Sequence, residues 1–340
     1  MRIIDNLAQA TAKREVILSI GAFDGVHLGH QYLIKHLVQQ ARETESISAV
    51  ITFHPHPRTV LYPEEPTLYL TTLQEKASLL EGLGLDLLVV LPFTPKLACT
   101  AARDFIRSIC DHLRIRELWV ASGFALGHNR EGDVAYLREL GRQMGFDAVV
   151  IEPLSLGGEV VSSSRIRSLV MEGKVEEAAK LLGRYPFLTG RVVVGAGRGK
   201  RMGFPTANLA IDEGKVIPAD GVYAVRVRLG VENHQGVANV GMRPTFDGCK
   251  LSSHKRTKSL YARRGESLQG GARTVEAHIL DFEGKLYGTE LRLEFVKRLR
   301  PERRYASVDQ LIAQMQRDVE WARIILSASS REASYDYETL

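Results

Sequence analysis

Two glycine-rich segments hold residues whose types and spacing suit chemistry on phosphates. The first, Gly21-Ala-Phe-Asp-Gly-Val-His-Leu-Gly-His30, directly follows the apolar run Val16–Ile20. Glycines 21, 25 and 29 let a ligand come close to the backbone. A turn that opens a helix presents N–H groups and a dipole that favour anions. His27 and His30 lie three apart, a spacing that predicts one face of a helical turn. Imidazole groups there can donate to phosphate oxygens and stabilise charge developing on a phosphoryl group. A His pair by itself reads as structural; the glycine pattern and the strand-turn-helix setting give it a chemical reading.

The second segment is Gly195-Ala-Gly-Arg-Gly-Lys-Arg-Met-Gly-Phe-Pro-Thr-Ala-Asn208. Lys200 is followed by Arg201 and not by Ser or Thr, so it is not a P-loop. The spacing of Gly195, Gly197 and Gly199, with no long helix behind it, is not a dinucleotide fingerprint either. A flap carrying Arg198, Lys200 and Arg201, with Gly203 beyond, can fold over a polyphosphate and neutralise it. Pro205 stiffens the chain on its C-terminal side, and an extended 206–208 would point Thr206 and Asn208 to one face. A hydroxyl and an amide oxygen suit Mg²⁺, which takes few protein ligands and shares the rest with phosphates and water.

The elements that must position these groups differ between the two halves. Strand-like runs at 16–20, 47–53, 86–91 and 117–121 alternate with helical patterns from about Gln31, around 74–82 and at 101–113. That alternation predicts an α/β domain, a Rossmann-like parallel sheet covered by helices, with its ligand site beyond the carboxyl ends of the strands. Short strand candidates at 191–194, 221–227, 235–240, 274–280 and 290–295, separated by Gly, Asn, Asp and Pro, predict a small antiparallel β-barrel. A helix closes it: Ser307-x-x-Gln310 is a capping box, and Leu311, Met315, Val319 and Ala322 share one face. In the strand from Val275, alternation sends Glu276 and His278 away from Val275, Ala277 and Ile279.

Composition sets the class. The chain has 340 residues, 44% hydrophobic and 25% charged, which are globular values that exclude collagen, low-complexity disorder and a disulfide miniprotein. No apolar run approaches the roughly 18 residues of a membrane span. Three scattered cysteines (Cys99, Cys110, Cys249) with no C-x-x-C pair point to reduced thiols, so a cytoplasmic protein is expected. The net charge of +5 is concentrated in a segment from Gly248 to Arg273, where seven basic residues face one acid. That stretch reads first as a solvated loop, with a polyanion contact as the weaker alternative. Nucleic acid is therefore not an expected partner.

At the first segment the sequence resembles a family. The H-x-G-H element of His27 to His30 is similar to that of nucleotidyltransferases that move AMP from ATP. Together with Thr52-Phe-His-Pro-His-Pro57, the longer motif resembles the N-terminal domain of bacterial bifunctional FAD synthetases. Those enzymes carry riboflavin kinase and FMN adenylyltransferase on one chain. The resemblance implies that His27 and His30 are catalytic and that Gly21, Phe23, Asp24 and Gly29 bind ATP. Gly123-Phe-Ala-Leu-Gly-x-x-Arg-x-Gly132 resembles the family's flavin-side loop, implying roles for Phe124, Gly127 and Arg130. Ser162-Ser-Ser-Arg-Ile-Arg167 resembles its Ser-Ser-Thr-x-x-Arg element, implying Ser163, Ser164 and Arg165 at ATP phosphates. Ser164 reads there as the helix N-cap and Arg165 as a planar cationic fork. The family usually has an acid or amide where this chain has Gly123, so the alternative is a riboflavin kinase whose adenylyltransferase half is weakened.

The second segment resembles the riboflavin kinase signature, and the match continues downstream. Asn239-Val-Gly-Met-Arg-Pro-Thr-Phe246, Val275-Glu-Ala-His-Ile-Leu-Asp-Phe282, Leu286-Tyr-Gly288 and Leu299-Arg-Pro-Glu302 all fit it. By resemblance Gly195, Gly197, Gly199, Gly203 and Pro205 bind ATP, Thr206 and Asn208 hold Mg²⁺, and Glu276 is the base for the riboflavin 5′-hydroxyl. The expected organisation is an adenylyltransferase domain at 1–183, a kinase domain at 184–328 and a disordered tail at 329–340. The expected partners are riboflavin, FMN, FAD and ATP as co-substrate, with no membrane.

Overall fold

The computed structural model of the chain describes residues 1–10, 14–65, 67–195, 202–242 and 273–332. Gly197, Gly199, the basic flap around them, residues 243–246 of the Asn239 segment and the basic insertion up to 272 lie outside the described residues. The chain divides into two compact units, Met1–Arg165 and Ile166–Leu340.

The first unit contains strands β1 (Arg2–Ile4), β2 (Val16–Ile20), β3 (Ile47–His54), β4 (Leu87–Pro92) and β5 (Ile115–Ala121), the short pair β6 (Ala125–Leu126) and β7 (Gly132–Asp133), and β8 (Asp147–Ile151). Between them run α1 (Leu28–Glu43), α2 (Pro57–Leu61), α3 (Leu73–Gly82), α4 (Pro95–Ala98), α5 (Ala102–Cys110) and α6 (Val134–Met144). The main sheet is parallel, in the order β1-β4-β3-β2-β5-β8. From β2 the chain first winds through β3 to β4, then crosses to β5 on the other side. The switch point thus falls at the carboxyl end of β2, where an open parallel sheet leaves a crevice for ligand.

The period of two sorts the strand residues into two cores. Val16, Leu18 and Ile20, with Ala49, Ile51, Leu118 and Val120, pack on one face. Ile17, Val50, Leu88, Val90 and Trp119 pack on the other, against Leu33, Ile34 and Leu37 of α1. All five residues of β2 are buried, as a strand covered on both faces requires. The sequence did not announce β8 or α6; β8 is an edge strand, largely half-buried, and its apolar run is only four residues long.

Past α6, a small hairpin of β9 (Ser155–Leu156) and β10 (Glu159–Val160) precedes α7 (Ser163–Met171). The second unit holds α8 (Val175–Leu182) and strands β11 (Phe187–Val193), β12 (Ala207–Ala210), β13 (Gly221–Leu229), β14 (Glu232–Met242), β15 (Arg273–Ile279) and β16 (Glu290–Arg300). They close as an antiparallel barrel, β11-β12-β15-β14-β13-β16, filled by Val225, Val227, Ala238, Ala277, Leu291 and Leu293 among others. The chain then forms α9 (Val308–Glu332), with the Gln310 N–H donating to Ser307 Oγ at 3.3 Å as the capping motif predicts. The helix runs on to Glu332, and the rest of the expected tail, 333–340, lies outside the described residues.

Two ion pairs fasten α9 to the barrel. Arg300 of β16 meets the Asp318 carboxylate with Nε at 3.0 Å and Nη2 at 2.7 Å, the Asp318 side chain being 6% exposed. Arg323 forks onto Asp281 at 2.6 and 2.7 Å, an exposed pair that holds the Asp281 carboxyl below its ordinary range. The buried pair matters more, because removing one partner strands an uncompensated charge. Asp318→Ala should therefore destabilise the barrel by about 3–5 kcal/mol, read as a lower urea midpoint at unchanged m-value. Arg323→Ala, which breaks only the exposed pair, should leave that midpoint nearly unchanged.

Candidate active sites

The Gly21–His30 turn leaves β2 at the switch point and enters α1 directly. His27 is the N-cap of α1 (φ −73°, ψ 173°), with Leu28 as the first helical residue. The expected helix start near Gln31 therefore moves forward, and His27 stands outside the helix, not on its face. The pair still meets: the His30 N–H donates to His27 Nδ1 at 3.4 Å, and the two rings stack with centroids 3.6 Å apart. An accepting Nδ1 leaves Nε2 as the protonated nitrogen of a neutral His27 ring. Gly29 permits this, since a Cβ there would crowd the His27 ring at 3.3 Å.

Four tethers fix the turn in its bent shape, with positive φ at Phe23 (47°), Gly25 (80°) and Val26 (40°). The buried Asp24 carboxylate accepts from the N–H groups of Leu70 (2.9 Å) and Thr71 (3.2 Å). The Thr71 hydroxyl accepts from Gly25 N–H at 3.0 Å, and Ser163 Oγ donates to the Asp24 carbonyl at 2.9 Å. Lys76 Nζ donates to the Ala22 carbonyl at 2.6 Å. Asp24 and Ser163 thus shape the turn, while Phe23 lies with its ring 5.0 Å from His30.

The start of α7 corrects one reading. The helix begins at Ser163, so the cap is Ser162, whose Oγ accepts from Arg165 N–H at 3.4 Å; Ser164 is an exposed residue of the first turn. Capping follows the backbone, and extended dihedrals before a helix belong to the residue ahead of its first turn. Arg165 pairs with Glu159 of β10 at 2.5 Å. In the Ser-Ser-Thr-x-x-Arg pattern, the arginine falls on Arg167, which the sequence reading passed over. In the flavin-side loop, Gly127 has φ 79° and a Cβ there would collide with the Ala102 backbone. Arg130 Nη2 closes the loop onto the Gly123 carbonyl at 3.2 Å, and Phe124 packs on the sheet core.

In the barrel, register puts the second set of groups in one row. Asn208 of β12 pairs with Glu276 of β15, Glu276 with Asn239 of β14, Asn239 with Val222 of β13, and Val222 with Arg300 of β16. Their neighbours Ala207, Ala277 and Ala238 point inward to the barrel core, so the row stands on the outer face. Thr206 Oγ1 donates to Glu276 Oε2 at 3.4 Å, and His278, two residues on, ties the Pro205 carbonyl at 2.8 Å. A Cβ on Gly195 would run into the Asn208 amide, which explains glycine there. Gly203, at φ 83°, and Pro205 precede this strand. A cavity of about 240 Å³ opens over the row, polar at Thr206, Glu276 and Asn239 and apolar at Val237, Met315 and Val319. The face of α9 anticipated from its periodicity supplies that apolar wall. Glu302 also lines it, its carboxyl pushed above the ordinary range mainly by burial, then by Asp220. The sequence reading named neither Asn239, Arg300 nor Glu302 as site residues.

Two family models cover most of the chain: FAD synthetase at residues 9–165 and riboflavin kinase at 182–326. The chain belongs to the bifunctional riboflavin kinase/FMN adenylyltransferase family. It is 35% identical over 326 residues to the enzyme of that name from Escherichia coli K12, covering 95% of this chain and 96% of the relative. It is 34% identical to that from Listeria monocytogenes, covering 89% and 90%. A crystal structure titled macrolide-efflux protein from Streptococcus pneumoniae superposes with a TM-score of 0.81 at 27% identity, over 95% of this chain and 98% of that one. No helix among the described residues is long and apolar enough to cross a membrane. The chain is a transferase carrying both the kinase and the nucleotidyltransferase of the family, and both use ATP. The reading of a kinase alone, motivated by Gly123, is not favoured, because the FAD synthetase model matches the N-terminal unit through that loop.

Proposed function

We propose that the outer face of the barrel phosphorylates riboflavin and that the switch-point turn adenylylates FMN, each on its own ATP. The observation that carries the first assignment is the row Asn208–Glu276–Asn239, of which Glu276 and Asn239 line a half-apolar cavity together with Thr206. A flat tricyclic ring fits the apolar wall, and a ribityl chain reaches the polar one. Glu276 accepts the proton of the 5′-hydroxyl as that oxygen attacks the γ-phosphate, giving FMN and ADP. Alignment and charge neutralisation dominate phosphoryl transfer, so a carboxylate suffices as base.

Thr206 and Asn208 offer the metal only oxygen donors, a hydroxyl and an amide, which fits a hard cation that keeps water and phosphate in its shell. Among the described residues no cluster of three His, Cys, Asp or Glu competes with that assignment. Mg²⁺ bound there would neutralise the triphosphate. Gly195, Gly203 and Pro205 shape the approach, with Gly197 and Gly199 assigned to the same ATP by resemblance. Thr206→Val should raise the Mg²⁺ concentration needed for half-maximal FMN formation by roughly ten-fold, measured by titrating the metal at fixed ATP. An unchanged metal curve would remove Thr206 from the metal site.

At the turn, His27 and His30 donate to the α-phosphate region of ATP while the FMN phosphate attacks it, giving FAD and pyrophosphate. Gly21, Phe23 and Gly29 are assigned to the wall against the nucleotide, with Asp24 and Ser163 holding the shape of that wall. Ser164 and Arg165 are assigned to its phosphates, and Phe124, Gly127 and Arg130 to the flavin, by resemblance. We assign residues 1–183 to this module and 184–328 to the kinase, supported by the family matches at 9–165 and 182–326. A cytoplasmic setting agrees with the free thiols of Cys99 and Cys110. Incubating the full chain with riboflavin, ATP and Mg²⁺ should yield FMN and then FAD on chromatography. FMN accumulating without FAD would withdraw the adenylyl-transfer assignment.

A further inference from the structure

We propose that Lys76 is a positioning residue of the adenylyl-transfer site: from α3 its ammonium clamps the Ala22 carbonyl and sets a buried positive charge behind the turn that receives the triphosphate. The inference rests on the reading of the Gly21–His30 turn as that site. Lys76 is 6% exposed, an unusual place for a lysine, and its Nζ donates to the Ala22 carbonyl at 2.6 Å and approaches Thr52 Oγ1 at 3.2 Å. Thr52 Oγ1 donates to the same carbonyl at 3.1 Å. Two donors therefore hold one peptide oxygen toward β3 and α3. A trans peptide directs its C=O and N–H to opposite sides, so the Phe23 N–H is turned away from the lysine. That is the orientation an anion-binding turn requires.

The charge has a second effect. A buried ammonium in a low-dielectric setting acts on a nearby polyphosphate far more strongly than a surface lysine does. The acid acting on it is Asp24 of the turn itself, whose carboxylate is already engaged by the Leu70 and Thr71 N–H groups. From β3 it meets the uncharged Thr52 hydroxyl, and on its own helix Glu75 accepts from the Thr72 N–H in a capping box. Burial lowers its pKa to about 8, with Asp24 opposing. The sign is that of a base whose charged form folding disfavours: at neutral pH the proton is retained against desolvation, and above about 8 it is lost. A lysine kept buried at that penalty is more economically explained by its ligand than by packing, since a methionine would fill the space without it.

The test uses the full chain with FMN saturating and ATP varied, from pH 6.5 to 9.5. In the unaltered enzyme, kcat/KM for ATP in FAD formation should fall above about pH 8, approaching ten-fold per pH unit. Lys76→Met should lower that kcat/KM by about ten- to a hundred-fold at pH 7 and abolish the fall. Its N-terminal melting temperature should hold or rise, and FMN formation from riboflavin should be unchanged. An unaltered kcat/KM in Lys76→Met, or a flat profile through pH 9 in the parent enzyme, would overturn the proposal. So would a lowered melting temperature accompanying the loss, which would mark Lys76 as a packing residue. His30→Ala run beside it separates the two layers. Full FAD formation in His30→Ala removes the site reading itself. Lost FAD formation there, with Lys76→Met fully active, removes only the role of Lys76.

Discussion

Glu276→Gln should abolish FMN formation, lowering kcat by about 10²–10⁴, while leaving the conversion of supplied FMN to FAD intact. The substitution is isosteric, and Glu276 sits between Asn208 and Asn239 in a ladder whose neighbours Val275 and Ala277 are buried. The strand therefore keeps its register, and the amide takes the place of the carboxylate beside Thr206 Oγ1. What vanishes is the carboxylate assigned to take the proton from a 5′-hydroxyl. The second activity is spared because its residues belong to the other compact unit, Met1–Arg165. The measurement is a pair of chromatographic assays, one started from riboflavin and one from FMN. Retained FMN formation in the variant would return Glu276 to an ordinary outward-facing strand position.

The converse result is expected of His30→Ala: FAD formation falls by about 10²–10³ while FMN still accumulates from riboflavin. The turn should survive the change. The bond that seats His27 runs from the His30 backbone N–H, which alanine keeps, and the Asp24, Ser163 and Lys76 tethers are untouched. Lost with the imidazole are its stack on His27 and one donor to the phosphate undergoing attack. Since the fold is retained, the melting temperature should stay within a few degrees and KM for FMN should change little beside kcat. Equal loss of both activities in a folded His30→Ala protein would contradict the division of labour between the units.

Much of this arrangement was legible in the chain. Short apolar runs set between helical patterns gave β2 through β5, and the Leu311–Val319 stripe gave the face of α9 that walls the cavity. The alternation from Val275 correctly turned Glu276 and His278 outward. Where the reading went astray, tertiary contacts had overridden local pattern. Spacing placed His27 and His30 on one helical face, whereas the backbone bends at His27 and the rings meet by stacking across the cap. Ser164 looked like a cap because three serines compete for the position, and only the actual helix start selects Ser162. Nothing in the local sequence singles out Lys76, because the Ala22 carbonyl that its ammonium meets lies on a different segment of the chain.

The sequence by itself determined the two architectures and offered two glycine-rich segments as candidate phosphate sites, because periodicity, glycine placement and motif spacing are local properties of a chain. Only the tertiary structure decided which of those residues meet. Barrel closure aligned Asn208, Glu276 and Asn239 from three strands, and the packing of α3 and β3 beside the switch point brought Lys76 and Thr52 to the turn. Such encounters are set by strand register and helix packing over separations of thirty to seventy residues, where no local spacing carries the information.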